Sequence, residues 1–292
     1  MGAMRLITAF MLALLACAAL AGDLETGLKA YNARQYAAAV LPLKRAAEGG
    51  NVQAQTILGW MYLHGEGVKS DPAQSAQWLG KAAAKGNVGA QYNLALLLGA
   101  GKGVTQDFER ALWWFGKAGR QGHAGAQYRL GLMYAHGLGT QPDGKQAAEW
   151  YEKAATQGHV EAQLALGILL QDGALQPRDL ARASHWFAKA AAQDNAAAQT
   201  NLANLYASGE GVARDMNEAL AWYRKAAAQG NPGAQFNLGM LYSTGMGLPV
   251  DYVEGHKWLA LAEGQGIAQA ATMRAFVKSR MSSQQLDQTR PR

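Results

Sequence analysis

Tryptophan recurs every 36 residues through most of this 292-residue chain, and no insertion or deletion disturbs the interval. A fixed period of this length is the signature of a repeat protein, in which similar units stack side by side. Six of the eight tryptophans follow it: Trp78, Trp114, Trp150, Trp186, Trp222 and Trp258. The interval therefore restricts the fold to a stack of like units.

The residues around each tryptophan indicate that every unit is a pair of helices. Ala54, Leu58 and Tyr62 are spaced i, i+4, i+8, and the same spacing returns in each repeat, which predicts one amphipathic helix, helix A. Trp78, with Ala82 and the adjacent alanine, predicts a second helix, helix B. The predicted fold class is all-α, a series of helix-turn-helix hairpins.

The residues between the helices are typical of helix ends. A glycine follows each helix A, where a left-handed residue closes a C-terminus. An aspartate stands six residues later, where a carboxylate accepts the free N–H groups of helix B. The aspartates are Asp71, Asp107, Asp143, Asp179, Asp215 and Asp251. Inside helix A, a glycine or alanine column, for example Gly59 and Gly167, is expected to make room for a facing Trp or Leu.

This pattern resembles the SEL-one-like repeat, a relative of the tetratricopeptide repeat. The fifth full unit carries it most completely, from Ala198-Gln199 through Leu202, Tyr206, Gly209-Glu210-Gly211-Val212 and Asp215 to Trp222-Tyr223 and Gly230. The resemblance implies a right-handed α-solenoid, or superhelix, and an adaptor or scaffold role. We expect a signal peptide at 1–21, a degenerate first repeat at 22–53, six full repeats at 54–269 and a capping helix with a tail at 270–292.

The N-terminus has the features of an export signal. Arg5 is followed by an apolar stretch from Leu6 to Leu20 that is too short to span a membrane, and Ala19-Leu20-Ala21 fits a cleavage site. A second interpretation stays open, because Leu14-Leu15-Ala16-Cys17 resembles a bacterial lipobox in which Cys17 is lipidated. Cys17 is the single cysteine, so no disulfide supports the fold.

The titratable residues do not form a recognisable catalytic set. The six histidines lack an HxxxH pair, the repeated aspartates fit helix capping, and no serine or cysteine has plausible triad partners. We therefore predict a non-enzyme that needs neither a cofactor nor a metal. The alternative is a hydrolase of β-lactams or peptidoglycan. Some cysteine-rich SEL-one-like proteins are described as binding or hydrolysing β-lactams, but this chain lacks their cysteines.

The formal net charge of +6 comes partly from a lysine column on helix B. Its members are Lys81, Lys117, Lys153, Lys189 and Lys225. We expect a solvated row whose stems lie along apolar surface, with contact to an acidic surface as the alternative. No recognition motif supports nucleic acid as a partner.

By analogy with tetratricopeptide superhelices, the partner is expected on the concave face, which helix A would line. The positions two before and two after the Leu-Gly core, with a neighbouring column, are predicted to hold an extended or helical polypeptide segment through apolar anchors and carboxamides. The predicted residues are Trp60, Tyr92, Asn93, Tyr128, Arg129, Asn201, Asn204, Phe236 and Asn237.

The sequence thus predicts an exported, periplasmic scaffold for a protein or peptide partner of the bacterial cell envelope. A lipid-anchored structural component of an envelope assembly is the further alternative, and the state of Cys17 would distinguish it.

Overall fold

The computed structural model describes residues 20–289, and every regular element in that range is a helix, so the all-α fold of stacked hairpins is confirmed. Two units divide the chain, Met1–Asp143 and Gly144–Arg292. In unit 1, α1 occupies residues 20–32, followed by α2 Tyr36–Glu48, α3 Val52–His64, α4 Pro72–Ala84, α5 Val88–Ala100, α6 Phe108–Arg120 and α7 Ala124–His136.

Unit 2 continues the same alternation and ends with two additional helices. Its elements are α8 Gly144–Thr156, α9 Val160–Asp172, α10 Leu180–Ala191, α11 Ala196–Ser208, α12 Met216–Ala228, α13 Pro232–Thr244, α14 Tyr252–Gly264, α15 Ala268–Arg280 and α16 Ser283–Gln288. Helices α3, α5, α7, α9, α11 and α13 are the A helices; α4, α6, α8, α10, α12 and α14 are the B helices. Within each unit, a helix contacts mainly its neighbours along the chain, as in an α-solenoid.

Side chains and glycines fix the ends of the helices. Asp71 accepts hydrogen bonds from the N–H groups of Ala73 and Gln74 at 3.0 Å, and Asp107, Asp179, Asp215 and Asp251 cap their B helices in the same way. The A helices begin with an unexpected cap, an asparagine or histidine whose side chain accepts from the N–H three residues later. They end at glycines in the left-handed region, such as Gly65 at φ 75°.

The tryptophans lie inside the stack. Trp78 is 6% exposed and belongs to a core cluster with Leu43 of α2 and with Leu58 and Met61 of α3. Trp150 and Trp186 are also buried, whereas Trp114, Trp222 and Trp258 are half-buried. The three buried rings therefore each contribute a large apolar area, on the order of 200 Å², to packing between helices, and the three half-buried rings contribute less.

The glycine columns accommodate the residue that follows each tryptophan. A Cβ on Gly59 would lie 2.7 Å from Cγ of Leu79, and one on Gly167 would lie 2.5 Å from the ring of Phe187. The expectation of a large facing side chain is therefore correct. The facing residues are leucine and phenylalanine, however, and the tryptophan that was the other expected residue does not face these glycines.

A ladder of buried glutamines joins consecutive helices. Gln199 of α11 donates from Nε2 to the carbonyl of Ala191 in α10 at 3.2 Å, and its Oε1 accepts from Nε2 of Gln229 at 2.9 Å. The same arrangement is present at Gln91 in unit 1 and at Gln163 and Gln235 in unit 2. Because these four amides on A helices are at most 5% exposed, their geometry fixes how α5, α9, α11 and α13 each sit between two B helices.

The loop after α9 differs from the other loops. Elsewhere a second loop glycine packs against the start of the preceding B helix; a Cβ on Gly211 would lie 2.4 Å from backbone atoms of Leu180. Leu175 replaces this glycine, and it lies against Gly144, where a Cβ would lie 2.3 Å from the Leu175 carbonyl oxygen. In this contact the glycine is therefore on the B helix, at Gly144, and the larger residue is in the loop, at Leu175. Close packing is preserved although the loop follows a different path.

The lysine row is exposed, and its ammonium groups lie over aromatic rings. Lys81, Lys153 and Lys225 are 4.0–4.2 Å from the ring centroids of the tryptophans three residues earlier. Lys117 lies over Trp113, at 5.0 Å, instead of Trp114. Each such cation–π contact at an exposed site contributes about 0.5–1 kcal/mol, so much of the row stabilises the B helices themselves.

Candidate functional site

One column of the A helices, two positions after the buried leucine, stays partly exposed. In α3, Leu58 and Gly59 are buried, whereas Trp60 is 39% exposed. Ile168 stands in the same column of α9 and is 46% exposed. In each unit, we call the surface formed by this column of exposed or half-exposed residues the A-helix face: Trp60, Leu96 and Leu132 in unit 1, and Ile168, Asn204 and Met240 in unit 2.

The column two residues before the Leu-Gly core is less available than the sequence suggested. Tyr92 is half-buried, with its ring stacked on His123 at 4.4 Å and tilted against Phe115 at 5.7 Å. Phe236 is also half-buried and packs against a C-terminal cluster that contains Leu259. Tyr128 is half-buried as well. Tyr92 and Phe236 therefore contribute to helix packing, so replacing them would affect the fold as well as any partner contact.

The predicted carboxamides are largely engaged within the protein. Asn93 is 7% exposed and donates from Nδ2 to the Gly89 carbonyl at 2.7 Å. Asn204 accepts from the Tyr223 hydroxyl at 2.6 Å and from Nδ2 of Asn237 at 3.0 Å.

Burial raises the pKa of Tyr223 to about 12, so this hydroxyl stays protonated and donates throughout the physiological range. Asn201 is half-buried.

A cleft of about 400 Å³ opens on the A-helix face of unit 1, between α5, α6 and α7. Phe108, Phe115, Met133 and Leu138 contribute apolar walls, and Leu96 and Leu132 lie at its edges on the two A helices. This volume is within the range of small-molecule and side-chain binding sites. The cleft joins the exposed row of the A-helix face to a recess that reaches the buried ring of Phe115.

Two basic side chains line the cleft, Arg129 and His136. Arg129 is exposed and has no hydrogen bond or ion pair with any residue in 20–289. The sequence identified Arg129 as a partner residue but not the recess beside it. Gly99 could have indicated this recess from the sequence, because other repeats carry a side chain at this helical position: Leu63, Ala135 and Ala207.

The other histidines have structural contacts. His123 and His159 are N-caps of A helices, with Nδ1 accepting from backbone N–H groups at 3.1 and 3.4 Å. His64 stacks on Trp60, and His185 meets Trp186 edge to face. No three His, Cys, Asp or Glu residues in the part of the chain that the structure describes are placed to hold a metal ion.

The predicted export signal lies almost wholly outside the described residues, and so does Cys17. Among residues 20–289, no helix combines the length and apolar character needed to cross a bilayer.

Comparison with protein families gives six consecutive matches to the Sel1 repeat, another form of the name SEL-one-like repeat. The matched residues are 52–87, 88–123, 124–159, 160–195, 196–231 and 232–266. Each match begins at the first helical residue of an A helix and includes the following B helix. No curated protein is similar enough to count as a match.

Two solved structures are similar to this chain at 32% sequence identity. One is a Sel1 repeat protein from Oxalobacter formigenes, which matches with a TM-score of 0.67 over 82% of this chain and 96% of its own. The other is a protective antigen present in uropathogenic Escherichia coli strains and displaying an SLR fold. It matches with a TM-score of 0.61 over 92% of this chain and 67% of its own.

Proposed function

Because this chain belongs to the Sel1 repeat family, whose members are generally protein-interaction scaffolds, we propose that it is an exported scaffold that holds a polypeptide partner on its A-helix face. The partner would be a protein of the bacterial cell envelope.

The observation that carries this proposal is the exposed apolar row of unit 1. Trp60, Leu96 and Leu132 lie on successive A helices at the same repeat position, and the cleft opens between the last two. Exposed tryptophans and apolar recesses that accept a side chain are both typical of binding hot spots. A partner segment that crosses the A helices could place one anchor on each repeat.

A binding role also agrees with how the polar side chains are used. The repeated aspartates cap B helices, two histidines cap A helices, and the glutamine ladder is buried. Groups with these structural tasks are not free for acid–base chemistry. If the protein nevertheless hydrolyses β-lactams or peptidoglycan, the purified chain will turn over such substrates, and that result would contradict the proposal of a non-catalytic scaffold.

Export rests on the sequence of residues 1–21 and needs its own test. Mass spectrometry of the protein isolated from its native envelope should give an N-terminus near Gly22. A diacylglyceryl group on Cys17 would instead favour the lipid-anchored alternative, and an intact Met1 would contradict export.

Site-specific photo-crosslinking tests the proposed binding face directly. A photoreactive phenylalanine analogue is placed at Leu132, on the A-helix face, or at Trp113, an exposed residue of helix α6 that is 51% exposed. We expect a specific polypeptide adduct from position 132 and none from position 113. Adducts formed equally from both positions, or only from position 113, would contradict the assignment of the face.

A further inference from the structure

The cleft in unit 1 exists because one helical position has no side chain. A Cβ on Gly99 would have a single neighbour within 4 Å, the Cβ of Ala111 at 3.7 Å, so the space above this glycine is open. The first full repeat carries Leu63 at the same position. The Cβ of a leucine at 99 would be in ordinary van der Waals contact with Ala111, and the longer side chain would occupy part of the recess.

The electrostatic character of this region is one-sided. The A helices of unit 1, α3, α5 and α7, contain no Asp or Glu, whereas they contain Arg129 and two histidines. None of the residues lining the cleft is acidic. Arg129 therefore presents a guanidinium with five N–H donors that nothing in residues 20–289 accepts, next to an apolar recess.

Charge complementarity limits what fits this arrangement. An apolar group alone would leave the guanidinium without a partner, and a small anion alone would leave the apolar walls unused. A carboxylate next to a large apolar side chain satisfies both, because Arg binds carboxylates in a bidentate geometry while the recess removes the apolar group from water.

We propose that the cleft recognises a short acidic–apolar segment of a partner polypeptide, with an aromatic or branched aliphatic side chain in the recess and the neighbouring Asp or Glu carboxylate on Arg129. The inference rests on the proposed function, because it specifies the chemistry of the polypeptide that the A-helix face would hold. A polypeptide fits better than a free acyl carboxylate, since the exposed row continues beyond the cleft to Trp60 and provides further contacts for a longer ligand.

Peptide binding measured by fluorescence polarisation tests this inference on the purified protein. The probe is a fluorescein-labelled octapeptide amide with Phe-Glu at its centre and otherwise Ala, Ser and Gly. One matched peptide has Phe-Gln, which removes the charge, and another has Ala-Glu, which removes the anchor. We expect each matched peptide to bind at least about tenfold more weakly, the loss of one charge-assisted hydrogen-bond pair or one buried ring. Equal affinity for the Phe-Glu and Phe-Gln peptides would overturn the proposal.

Two variants connect the affinity to the cleft. Gly99→Leu fills the recess, and Arg129→Asn introduces the residue that three other repeats carry at this position. Both should weaken Phe-Glu binding about tenfold, and Arg129→Asn should also abolish the preference for Glu over Gln. Ala207→Leu, at the position equivalent to 99 in unit 2, is the control and should leave the affinity within twofold. Unfolding curves establish that each variant is folded.

Further outcomes separate the two proposals. Binding of decanoate that Gly99→Leu abolishes, without measurable peptide binding, would identify an acyl carboxylate site and contradict the inference. If position 132 still forms its polypeptide adduct in the Gly99→Leu and Arg129→Asn variants, the scaffold function stands and the cleft inference fails. If no A-helix position forms an adduct, both fail.

Discussion

At the first position of the glutamine ladder, Gln55, one hydrogen bond is missing. Two substitutions, one that supplies this bond and one that removes its equivalent in the next repeat, should therefore change stability in opposite directions. Gln55 donates from Nε2 to the Ala47 carbonyl at 2.9 Å, but its buried Oε1 has no hydrogen-bond partner. In the next repeat, the equivalent oxygen of Gln91 accepts from Nε2 of Gln121 at 2.8 Å. Lys85 stands where Gln121 would be, so Lys85→Gln should complete the rung and Gln121→Lys should break the next one.

The magnitude follows from the hydrogen bonds that change. An unsatisfied buried acceptor costs about 1–3 kcal/mol, and a new neutral hydrogen bond contributes about 0.5–1.5 kcal/mol. Against this, Lys85→Gln removes the exposed bond from Nζ to the Gly50 carbonyl at 2.6 Å. Gln121 itself reaches the corresponding Gly86 carbonyl at 3.4 Å, so part of that contact is kept. We expect Lys85→Gln to stabilise unit 1 by about 1 kcal/mol and Gln121→Lys to destabilise it by a similar amount.

Urea unfolding followed by far-UV circular dichroism measures both changes, with hydrogen exchange of the α3 and α5 amides to assign them to unit 1, because repeat proteins can unfold in more than one step. The m-value, which is the slope of the free energy of unfolding against urea concentration, should stay constant, while the unfolding midpoints of the two variants move in opposite directions. If Lys85→Gln shifts the midpoint downward or not at all, the buried oxygen is not the weak point and the reasoning on the ladder is wrong.

Three further changes test other parts of the packing. Gly144→Leu should destabilise unit 2 by about 1–3 kcal/mol in urea unfolding, because the new side chain meets the backbone and Cβ of Leu175, and adding Leu175→Gly should recover only the part of the loss that is due to this Cβ; full recovery would contradict the backbone contact. Asp194→Gly should raise the melting temperature slightly, by about 0.5 kcal/mol of stability, because Asp194 has φ 61° where other repeats have glycine; a lower melting temperature would refute this. The pKa of His256 is lowered mainly by burial and, to a smaller extent, by the positive charges of Arg274 and Lys278. Neutral His256 therefore contributes to the free energy of unfolding above its ordinary pKa, and this contribution is lost as the pH falls through the lowered pKa. The His256→Gln variant should accordingly lose less stability than the unmodified protein between about pH 7.5 and 5. An unchanged pH profile of stability would contradict this role of His256.

The repeat period was sufficient to predict the hairpins and the ends of their helices. A 36-residue interval leaves two helices of about 13 residues with short turns, and the glycines and aspartates at fixed positions mark where each helix stops or starts. Trp78 could be recognised as a core residue because an indole at a constant position needs a constant environment. These features are local or strictly periodic, so a single sequence contains them.

The identity of side-chain partners could not be read in the same way. Asn237 was predicted to face a partner, yet it donates to Asn204, whose oxygen also accepts from Tyr223. Residues three and four apart on a helix share a face, and the small rotation that separates an exposed column from a packed one is set by contacts across helices. Tyr92 was therefore placed in the groove by analogy, although its ring packs against Phe115.

The cleft in unit 1 could not be predicted from the sequence either, because it also depends on contacts between helices. Gly99 falls in a loop-like Gly-Ala-Gly stretch, where a glycine is expected for the turn that follows. In the structure Gly99 is the penultimate residue of α5, and its missing side chain opens a recess. A recess depends on what neighbouring helices place around the glycine, which periodicity alone does not give.

Binding on the A-helix face can be tested with the partner captured by crosslinking, by measuring its affinity for two matched tryptophan variants. Trp60→Gln removes an anchor from the A-helix face, and Trp113→Gln removes an equally large exposed ring from helix α6. We expect at least about a thirtyfold loss of affinity for Trp60→Gln, the effect of a hot spot that contributes about 2 kcal/mol, and less than a twofold change for Trp113→Gln. The reverse pattern would contradict binding on the A-helix face.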